Sequence, residues 1–200
     1  MDRFDKSALR ESFLKKRKGL TIPEVIKKSQ DVALKFFELA EIKGENHFAA
    51  YLPINNEVDT KGIIDDLLQK EVSTFVPAYL ATNNDYLFTR FDGWQNLEEG
   101  PKGILQPRII KSVDSSLIEV AILPGLAFSK SGVRLGYGKG VFDRLLAKSK
   151  AIRIGLAYDF QLVDKIEKEK HDLLMDMVVT EKKVYRMKKN DKIHGHCRIV

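Results

Sequence analysis

The chain has 200 residues, 44% hydrophobic and 31% charged, which fits one globular domain over residues 1–200 and leaves too little for a second independent one. Its longest apolar stretch, residues 120–128, is far shorter than the roughly 20 residues of a membrane-spanning helix, and the charged opening residues lack a secretory signal, so we expect a soluble, cytoplasmic protein. The net charge of +6 is concentrated at the ends: residues 1–30 and 181–200 each carry +5, which leaves −4 for the 150 residues between and argues against a basic groove for nucleic acid through the whole fold.

Two helical patterns open the chain. Over residues 5–18 apolar side chains face one side and Lys/Arg the other, and the pattern ends near Gly19. Thr21 is a suitable N-cap for a second helix, which apolar residues at helical spacing extend to about Ile42. The basic run at residues 15–18 is explained most simply by solubility and a favourable interaction with the helix dipole, with recruitment to anionic phosphates as the alternative.

Short apolar runs replace the helical pattern after Gly44. Six of them predict strands, at residues 47–52, 72–76, 86–91, 118–123, 152–157 and 177–180. Helical patterns lie between them at residues 60–70, with Thr60 as N-cap, and at 140–148. This alternation predicts a three-layer α/β/α fold around a mainly parallel sheet. Because ligands of such folds bind at the carboxyl ends of strands, the loops after Leu52, Leu123 and Ala157 are the expected site.

The end of the chain offers little chemistry. Cys197 is the only cysteine, so an intrachain disulfide is excluded, and we assign it no nucleophilic role. His194 and His196 beside it could form a metal clip, but we interpret the segment from about residue 183 as a flexible basic tail.

The stretch with the strongest functional signal runs from residue 123 to 144 and reads LPGLAFSKSGVRLGYGKGVFDR. Three alternating glycines, at 136, 138 and 140, precede a predicted helix, where positive φ angles and unpaired amides could cradle an anion. Arg134 and Lys139 add positive charge to the same loop. The spacing matches neither the dinucleotide nor the Walker phosphate-binding motif. A phosphate site is the favoured interpretation, a tight turn the alternative, and Asp143 suits either dipole stabilisation or a magnesium ion.

These residues resemble the signature of the 5-formyltetrahydrofolate cyclo-ligase family. Further matches extend the resemblance over about residues 4–182: Lys6 with Arg10, Tyr51-Leu52-Pro53, Glu57-Val58-Asp59-Thr60, Gly103-Ile104, Gln106-Pro107, Ile154-Gly155-Leu156-Ala157-Tyr158 and His171-Asp172. The resemblance implies a common fold and reaction. It also implies ATP as co-substrate, Mg²⁺, and a reduced folate as the small-molecule partner of a monomer that binds neither nucleic acid nor membrane.

Site residues follow from the resemblance position by position. It implies ATP contacts by Lys6, Arg10, Arg134, Leu135, Gly136, Tyr137, Gly138, Lys139, Gly140, Val141 and Phe142. It implies folate contacts by Leu52, Glu57, Tyr137, Gly138, Lys139, Gly140 and Val141, with the Glu57 carboxylate suited to accept hydrogen bonds from pterin N–H groups. Asp143 and Asp172 correspond to the magnesium ligands.

The reaction that the resemblance implies is ATP-dependent cyclisation of 5-formyltetrahydrofolate to 5,10-methenyltetrahydrofolate, with release of ADP and phosphate. Phosphorylation turns the formyl oxygen into a leaving group, and N10 then attacks the activated carbon. Positioning and charge neutralisation dominate such a phosphoryl transfer, which makes Arg134 and Lys139 the predicted catalytic residues.

The chain departs from the family pattern at two places. Val141-Phe142 stands where the family often has two tyrosines, and Gln106 stands where many members have glutamate before Pro107. These changes leave details of substrate contact open without excluding activity.

Some assignments stay open at this level. Trp94, in the long polar connection 92–108, could stack on a pterin ring or pin the connection, and for His171 we favour a structural over a catalytic role. A sugar-phosphate isomerase or an acyl-CoA transferase could use the same glycine loop without ATP. A nucleic-acid-binding module relying on the basic ends is a third possibility, which the negative middle segment disfavours.

Overall fold

The computed structural model describes residues 6–187, apart from the side chain of residue 102. Cys197, His194, His196 and most of the predicted tail lie outside this range. The described α-helices are α1 (Lys6–Lys18), α2 (Ile22–Phe37), α3 (Lys61–Gln69) and α4 (Val141–Leu145). The described strands are β1 (His47–Ala49), β2 (Ser73–Leu80), β3 (Asp85–Arg90), β4 (Leu97–Glu99), β5 (Leu105–Pro107), β6 (Ser112–Val113), β7 (Val120–Leu123), β8 (Ala127–Ser129), β9 (Arg134–Leu135), β10 (Ile152–Leu156), β11 (Leu162–Val163), β12 (Met177–Val179) and β13 (Val184–Arg186).

An eight-stranded sheet forms the centre, in the order β13-β12-β10-β7-β1-β2-β3-β6. The five strands from β12 to β2 run parallel, while β13, β3 and β6 are antiparallel additions at the two edges. Strands β10, β7 and β1 are adjacent, so the connections that follow them leave from one end of the sheet. The predicted α/β class with a mainly parallel sheet is confirmed.

The two faces of the sheet are covered differently. Alternate residues of β7 point to opposite sides, with Val120 and Ile122 packing in the cluster that contains α2 and α3, and Ala121 and Leu123 in the opposite cluster. That second face is covered by α4 together with the small sheet β11-β8-β9, whose Phe128 is fully buried. The second outer layer is therefore only partly helical.

Helix α1 packs outside this small sheet. Its Phe13 lies in a cluster with Leu126, Leu135 and Ile166. One face of α1 is thereby held beside the end of β7 and the segment that carries the three glycines. The N-terminal basic segment consequently lies next to the loops that were expected to form the site.

Most predicted elements are present, with shifts at their ends. Thr21 caps α2 through a complete capping box with Glu24, as the sequence indicates. The helix ends at Phe37 rather than continuing to Ile42, and α4 covers five residues instead of the predicted nine.

Thr60 occupies the N-cap position of α3, as predicted, but its side chain makes no capping hydrogen bond. Its hydroxyl donates instead to the carbonyl oxygen of Tyr51 at 2.7 Å. A tertiary hydrogen bond thus takes the side chain that was expected to bond to the first turn of the helix. The sheet also extends beyond the predicted start of the tail, because Val178 pairs with Tyr185 in the antiparallel ladder of β12 and β13.

Candidate active site

A cleft of about 690 Å³ lies beside α1, the segments after β1 and β7, and the glycine segment. It is lined by Lys6, Arg10, Tyr51, Leu52, Ile54, Asn55, Glu57, Pro77, Tyr86, Gly103, Ile104, Leu105, Pro124, Arg134, Leu135, Gly136, Tyr137, Gly138, Lys139, Gly140, Val141, Phe142, Asp143, Glu169, His171 and Asp172. Every site residue that the resemblance implied is among them. The cleft thus brings together residues up to 166 positions apart, from Lys6 to Asp172.

The loop directly after β10 does not line the cleft but supports the turn after β7. The side-chain amide of Gln161 donates to the carbonyl oxygens of Gly125 and Leu126 at 2.8 and 2.9 Å, which braces the turn after β7. The lining residues from this part of the chain lie farther along, at Glu169, His171 and Asp172. The residues directly after Ala157 therefore do not line the cleft, and this part of the chain reaches it only from Glu169 onward.

The glycine segment from residue 136 to 140 is anchored by two arginines. The Arg10 Nε donates to the carbonyl oxygen of Gly136 at 3.0 Å, and the Arg144 Nη1 donates to that of Lys139 at 2.6 Å. Gly138 and Gly140 have φ angles of 92° and 60°, whereas Gly136 has a negative φ. Positive φ is thus required at two of the three alternating glycines. Because α4 has only five residues, we expect an anion here to interact with loop amides and nearby cations more than with a helix dipole.

Arg134 and Asp143 form a buried ion pair in the cleft wall. The Arg134 Nη2 lies 2.6 Å from Asp143 Oδ2, and Nη1 donates to the carbonyl oxygen of Pro124 at 3.2 Å. Burial lowers the pKa of Arg134, and the Asp143 carboxylate opposes that shift. Arg134 Nε is buried and makes no hydrogen bond within residues 6–187. One N–H donor of Arg134 is therefore left unsatisfied by the described residues.

Lys6 pairs with two carboxylates that lie 163 and 166 positions later in the chain. Its Nζ lies 2.8 Å from Glu169 Oε1 and 3.3 Å from Asp172 Oδ2. Asp172 Oδ2 also accepts a hydrogen bond from the Glu169 amide at 2.8 Å. These contacts join the start of α1 to the segment that precedes β12.

Asp143 and Asp172, the predicted magnesium ligands, both line the cleft. Among the described residues there is no group of three or more His, Cys, Asp or Glu side chains placed to hold a metal. Mg²⁺ bound with nucleotides typically takes only one or two protein carboxylates and completes its shell with phosphate oxygens and water. Asp143 and Asp172, both lining the cleft, can supply these two carboxylates. Their role as metal ligands stays a prediction.

Glu57 is a buried carboxylate, and one of its oxygens faces Arg17 without a hydrogen bond of normal geometry among the described residues. Its side chain is 4% exposed, and Oε2 accepts a hydrogen bond from the Ile54 amide at 3.0 Å. Oε1 lies 3.6 Å from Arg17 Nη2 and makes no hydrogen bond of normal geometry within residues 6–187. Burial raises the pKa of Glu57 to about 7, an effect that the charge of Arg17 partly offsets. An oxygen of this kind is suited to a ligand that brings N–H donors.

Arg17 was missed by the sequence interpretation, which treated residues 15–18 as a solvated run. The structure buries Arg17 completely, while its neighbours Lys15, Lys16 and Lys18 are exposed. The sequence did indicate that Arg17 belongs with the site. One face of α1 carries, at helical spacing, Lys6, Arg10, Phe13 and Arg17.

The residues at the two departures have defined environments. Phe142 packs against Phe88 with ring centroids 6.4 Å apart, and the guanidinium of Arg134 lies 5.8 Å from the Phe142 ring centroid. Gln106 does not line the cleft. Its side chain accepts from the Tyr79 amide at 2.9 Å, which connects β5 to β2. The departure at Gln106 therefore affects the contact between β5 and β2, whereas the departure at Phe142 affects the wall of the cleft.

Trp94 also lies away from the cleft lining. Its Nε1 donates to Asp65 Oδ1 at 2.6 Å, and its ring packs edge-on against Phe91 at 5.0 Å. Of its two possible roles, pinning of the long connection is the one that these contacts support. His171 does line the cleft, and our preference for a structural role there stays a prediction.

A bilayer-crossing helix is not found within residues 6–187, since no helix there is both long and apolar enough.

Comparison with known proteins agrees with the resemblance. A model of the 5-formyltetrahydrofolate cyclo-ligase family matches residues 2–181. The chain is 30% identical over 178 residues to the 5-formyltetrahydrofolate cyclo-ligase of Haemophilus influenzae, covering 86% of this chain and 95% of the relative. It is 26% identical over 189 residues to that of Mus musculus, covering 88% and 93%. Among solved structures, the Aquifex aeolicus 5,10-methenyltetrahydrofolate synthetase superposes with a TM-score of 0.82 at 33% identity, covering 96% of this chain and 98% of the other. The resemblance inferred from the motifs is confirmed, and the chain belongs to the 5-formyltetrahydrofolate cyclo-ligase family.

Proposed function

We propose that the chain converts 5-formyltetrahydrofolate to 5,10-methenyltetrahydrofolate with ATP, releasing ADP and phosphate. The observation that carries the proposal is one cleft that combines cations around a glycine segment with a buried carboxylate, one oxygen of which accepts no hydrogen bond from the described residues. The first feature suits phosphates, and the second suits the N–H groups of a pterin. Family membership makes the folate the expected substrate of this combination.

Glu57 would bind the pterin ring. In its ionised form the carboxylate accepts N–H donors in charge-assisted hydrogen bonds, which are stronger than neutral ones. Leu52 and the half-exposed ring of Tyr137 line the same cleft and offer apolar surface to the flat pterin. Glu57 thus sets the orientation of the ring, and the apolar neighbours exclude water from it.

Lys6, Arg10, Arg134 and Lys139 would bind the triphosphate. Lys6 and Arg134 are each paired with a carboxylate of the same cleft. A triphosphate offers both cations a stronger anionic partner. Asp143 and Asp172 would then hold Mg²⁺ beside the phosphates, and the ion when bound supplies neutralisation of the phosphate charge.

The chemistry proceeds in two displacements. The formyl oxygen attacks the γ-phosphorus, the bond to the bridging oxygen breaks, and ADP leaves. N10 then uses its lone pair to form a bond to the formyl carbon and loses its proton, and the C–O bond breaks so that phosphate departs. Arg134 and Lys139 offset the negative charge at the transferred phosphoryl group, while the loop holds the reacting oxygen and phosphorus close together.

The test is formation of the methenyl-folate absorbance when the protein is mixed with 5-formyltetrahydrofolate, Mg²⁺ and ATP. We expect the band to grow with ATP and to stay absent without it, with one ADP released per product. Correctly folded protein that forms no product under these conditions would contradict the proposal. ADP release without product would indicate a different phosphoryl acceptor.

A further inference from the structure

Arg17, in the last turn of α1, contacts three separate segments with a single guanidinium group. Nε donates to the carbonyl oxygen of Asn55 at 2.8 Å, and Nη1 donates to that of Gly125 at 3.0 Å. Nη2 donates to the hydroxyl oxygen of Tyr137. The side chain is fully buried, and each of its three nitrogens has one of these partners in place of water.

All three segments contribute residues to the cleft. Asn55 lies two residues before Glu57 in the connection after β1, Gly125 lies in the turn after β7, and Tyr137 lies within the glycine segment. The backbone at and just after the end of α1 adds to the contact, because the side-chain amide of Asn56 donates to the carbonyl oxygens of Arg17 and Leu20 at 3.3 and 3.0 Å. One residue of α1 therefore sets the relative positions of three loops.

The same guanidinium is the cation nearest to Glu57. Its Nη2 lies 3.6 Å from Glu57 Oε1, the oxygen that makes no hydrogen bond within residues 6–187. The other titratable or charged groups that face Glu57 are Tyr51, Arg134, Tyr137 and Tyr158. The hydroxyl of Tyr158 donates to the Glu57 backbone carbonyl at 3.1 Å. Arg17 is thus the positive partner that touches both Glu57 and Tyr137.

We propose that Arg17 is a positioning residue of the folate site, which holds the Glu57 carboxylate and the Tyr137 hydroxyl in the arrangement that the substrate meets. Arginine is required because its planar fork reaches three acceptors at once, whereas a lysine ammonium is a single point of charge. Arg17 does not line the cleft, so it acts through Glu57 and Tyr137. The inference rests on the proposed function for its substrate.

The kinetic test compares Arg17→Met, Arg17→Lys and the control Lys18→Met, which removes an exposed charge from the next position. We expect Arg17→Met to raise the KM for 5-formyltetrahydrofolate by about tenfold or more, because it removes the cation beside the buried Glu57 carboxylate and three hydrogen bonds that hold the loops of the cleft. The KM for ATP should change much less, and Lys18→Met should match the unmodified protein. Arg17→Lys should also raise the folate KM, since it keeps the charge but cannot reach all three segments.

A second measurement needs no substrate and separates this inference from the proposed function. The thermal midpoint of the ligand-free protein is followed against pH, in the presence and absence of Glu57→Gln. Removing the cation in Arg17→Met should move the titration of Glu57 to higher pH, while Arg17→Lys should leave it near its original place. In the Glu57→Gln background, Arg17→Met should produce no such shift. A purely structural residue would lower stability at every pH without this dependence on Glu57.

Cooperatively folded Arg17→Met with an unchanged folate KM and an unchanged Glu57 titration would overturn the inference. If Arg17→Met does not fold, an unchanged folate KM in Arg17→Lys would overturn it instead. A shifted titration in protein that forms no methenyl-folate would support the contact between Arg17 and Glu57 and count against the proposed function alone.

Discussion

The buried carboxylate of Glu57 predicts an unusual pH dependence of stability. Its pKa is about 7 in the folded protein, against an ordinary value of 4.5 in the unfolded chain, because burial disfavours the charged form. Between these values the folded state binds more protons than the unfolded state. Linkage then requires the free energy of unfolding to fall as pH rises from 4.5 through about 7, and the contribution of Glu57 is most favourable below 4.5.

The size of the effect follows from the same two values. Each pKa unit corresponds to about 1.4 kcal/mol, so the contribution of Glu57 decreases by about 3 kcal/mol across the window. Glu57→Gln puts a neutral amide of similar shape in place of the carboxylate. The free energy of unfolding of this variant should therefore lack that decrease, whatever its absolute stability.

Urea unfolding of ligand-free protein at several pH values between 4.5 and 8 measures the difference. Other titrating groups are common to both proteins and cancel when the two pH profiles are subtracted. Glu38→Gln, at an exposed position, serves as the control and should keep the original profile. Parallel profiles for the unmodified protein and Glu57→Gln would contradict the raised pKa of Glu57, since they would show that this carboxyl titrates alike in the folded and unfolded states.

Three further substitutions test the loop, the packing and a buried hydrogen bond. Lys139→Ala should lower kcat/KM by about tenfold or more through weaker phosphate binding, and a normal rate in the absorbance assay would contradict the assignment of the loop. Gly155→Ala places a methyl group 2.5 Å from a ring carbon of the buried Phe128, so urea unfolding should show a loss of about 1–3 kcal/mol, and undiminished stability would refute this packing. Thr60→Val removes the hydroxyl that bonds to Tyr51, for which we expect a loss of about 1–3 kcal/mol by the same method, and a neutral effect would show that the bond contributes nothing.

Local patterns in the sequence predicted the larger elements because their physical causes are local. Helical spacing and the capping box of Thr21 with Glu24 lie within a few residues of one another, so α2 could be placed from sequence. The short edge strands, such as β6 at Ser112–Val113, carry no apolar run of their own and were not predicted. At Thr60 the local pattern was misleading. It indicates a side-chain cap, whereas the Thr60 hydroxyl donates to the carbonyl oxygen of Tyr51, nine residues earlier.

For the site, spacing alone pointed only to the glycine segment with Arg134, Lys139 and Asp143. The other residues, from Lys6 to Asp172, were placed by resemblance to a family, and the structure brings them to one cleft. Their meeting depends on the order of strands in the sheet, which joins parts of the chain that no sequence window contains.

The burial of Arg17 depends on how α1 packs, which no local pattern in the sequence shows. The periodicity of α1 already places Arg17 on the same face as Phe13. Whether that face meets water or protein is set by the packing of Phe13 against Leu126 and Leu135. A basic residue in water is merely solvated, whereas the same residue enclosed by three loops must find partners for its charge and its donors, and only the folded chain supplies them.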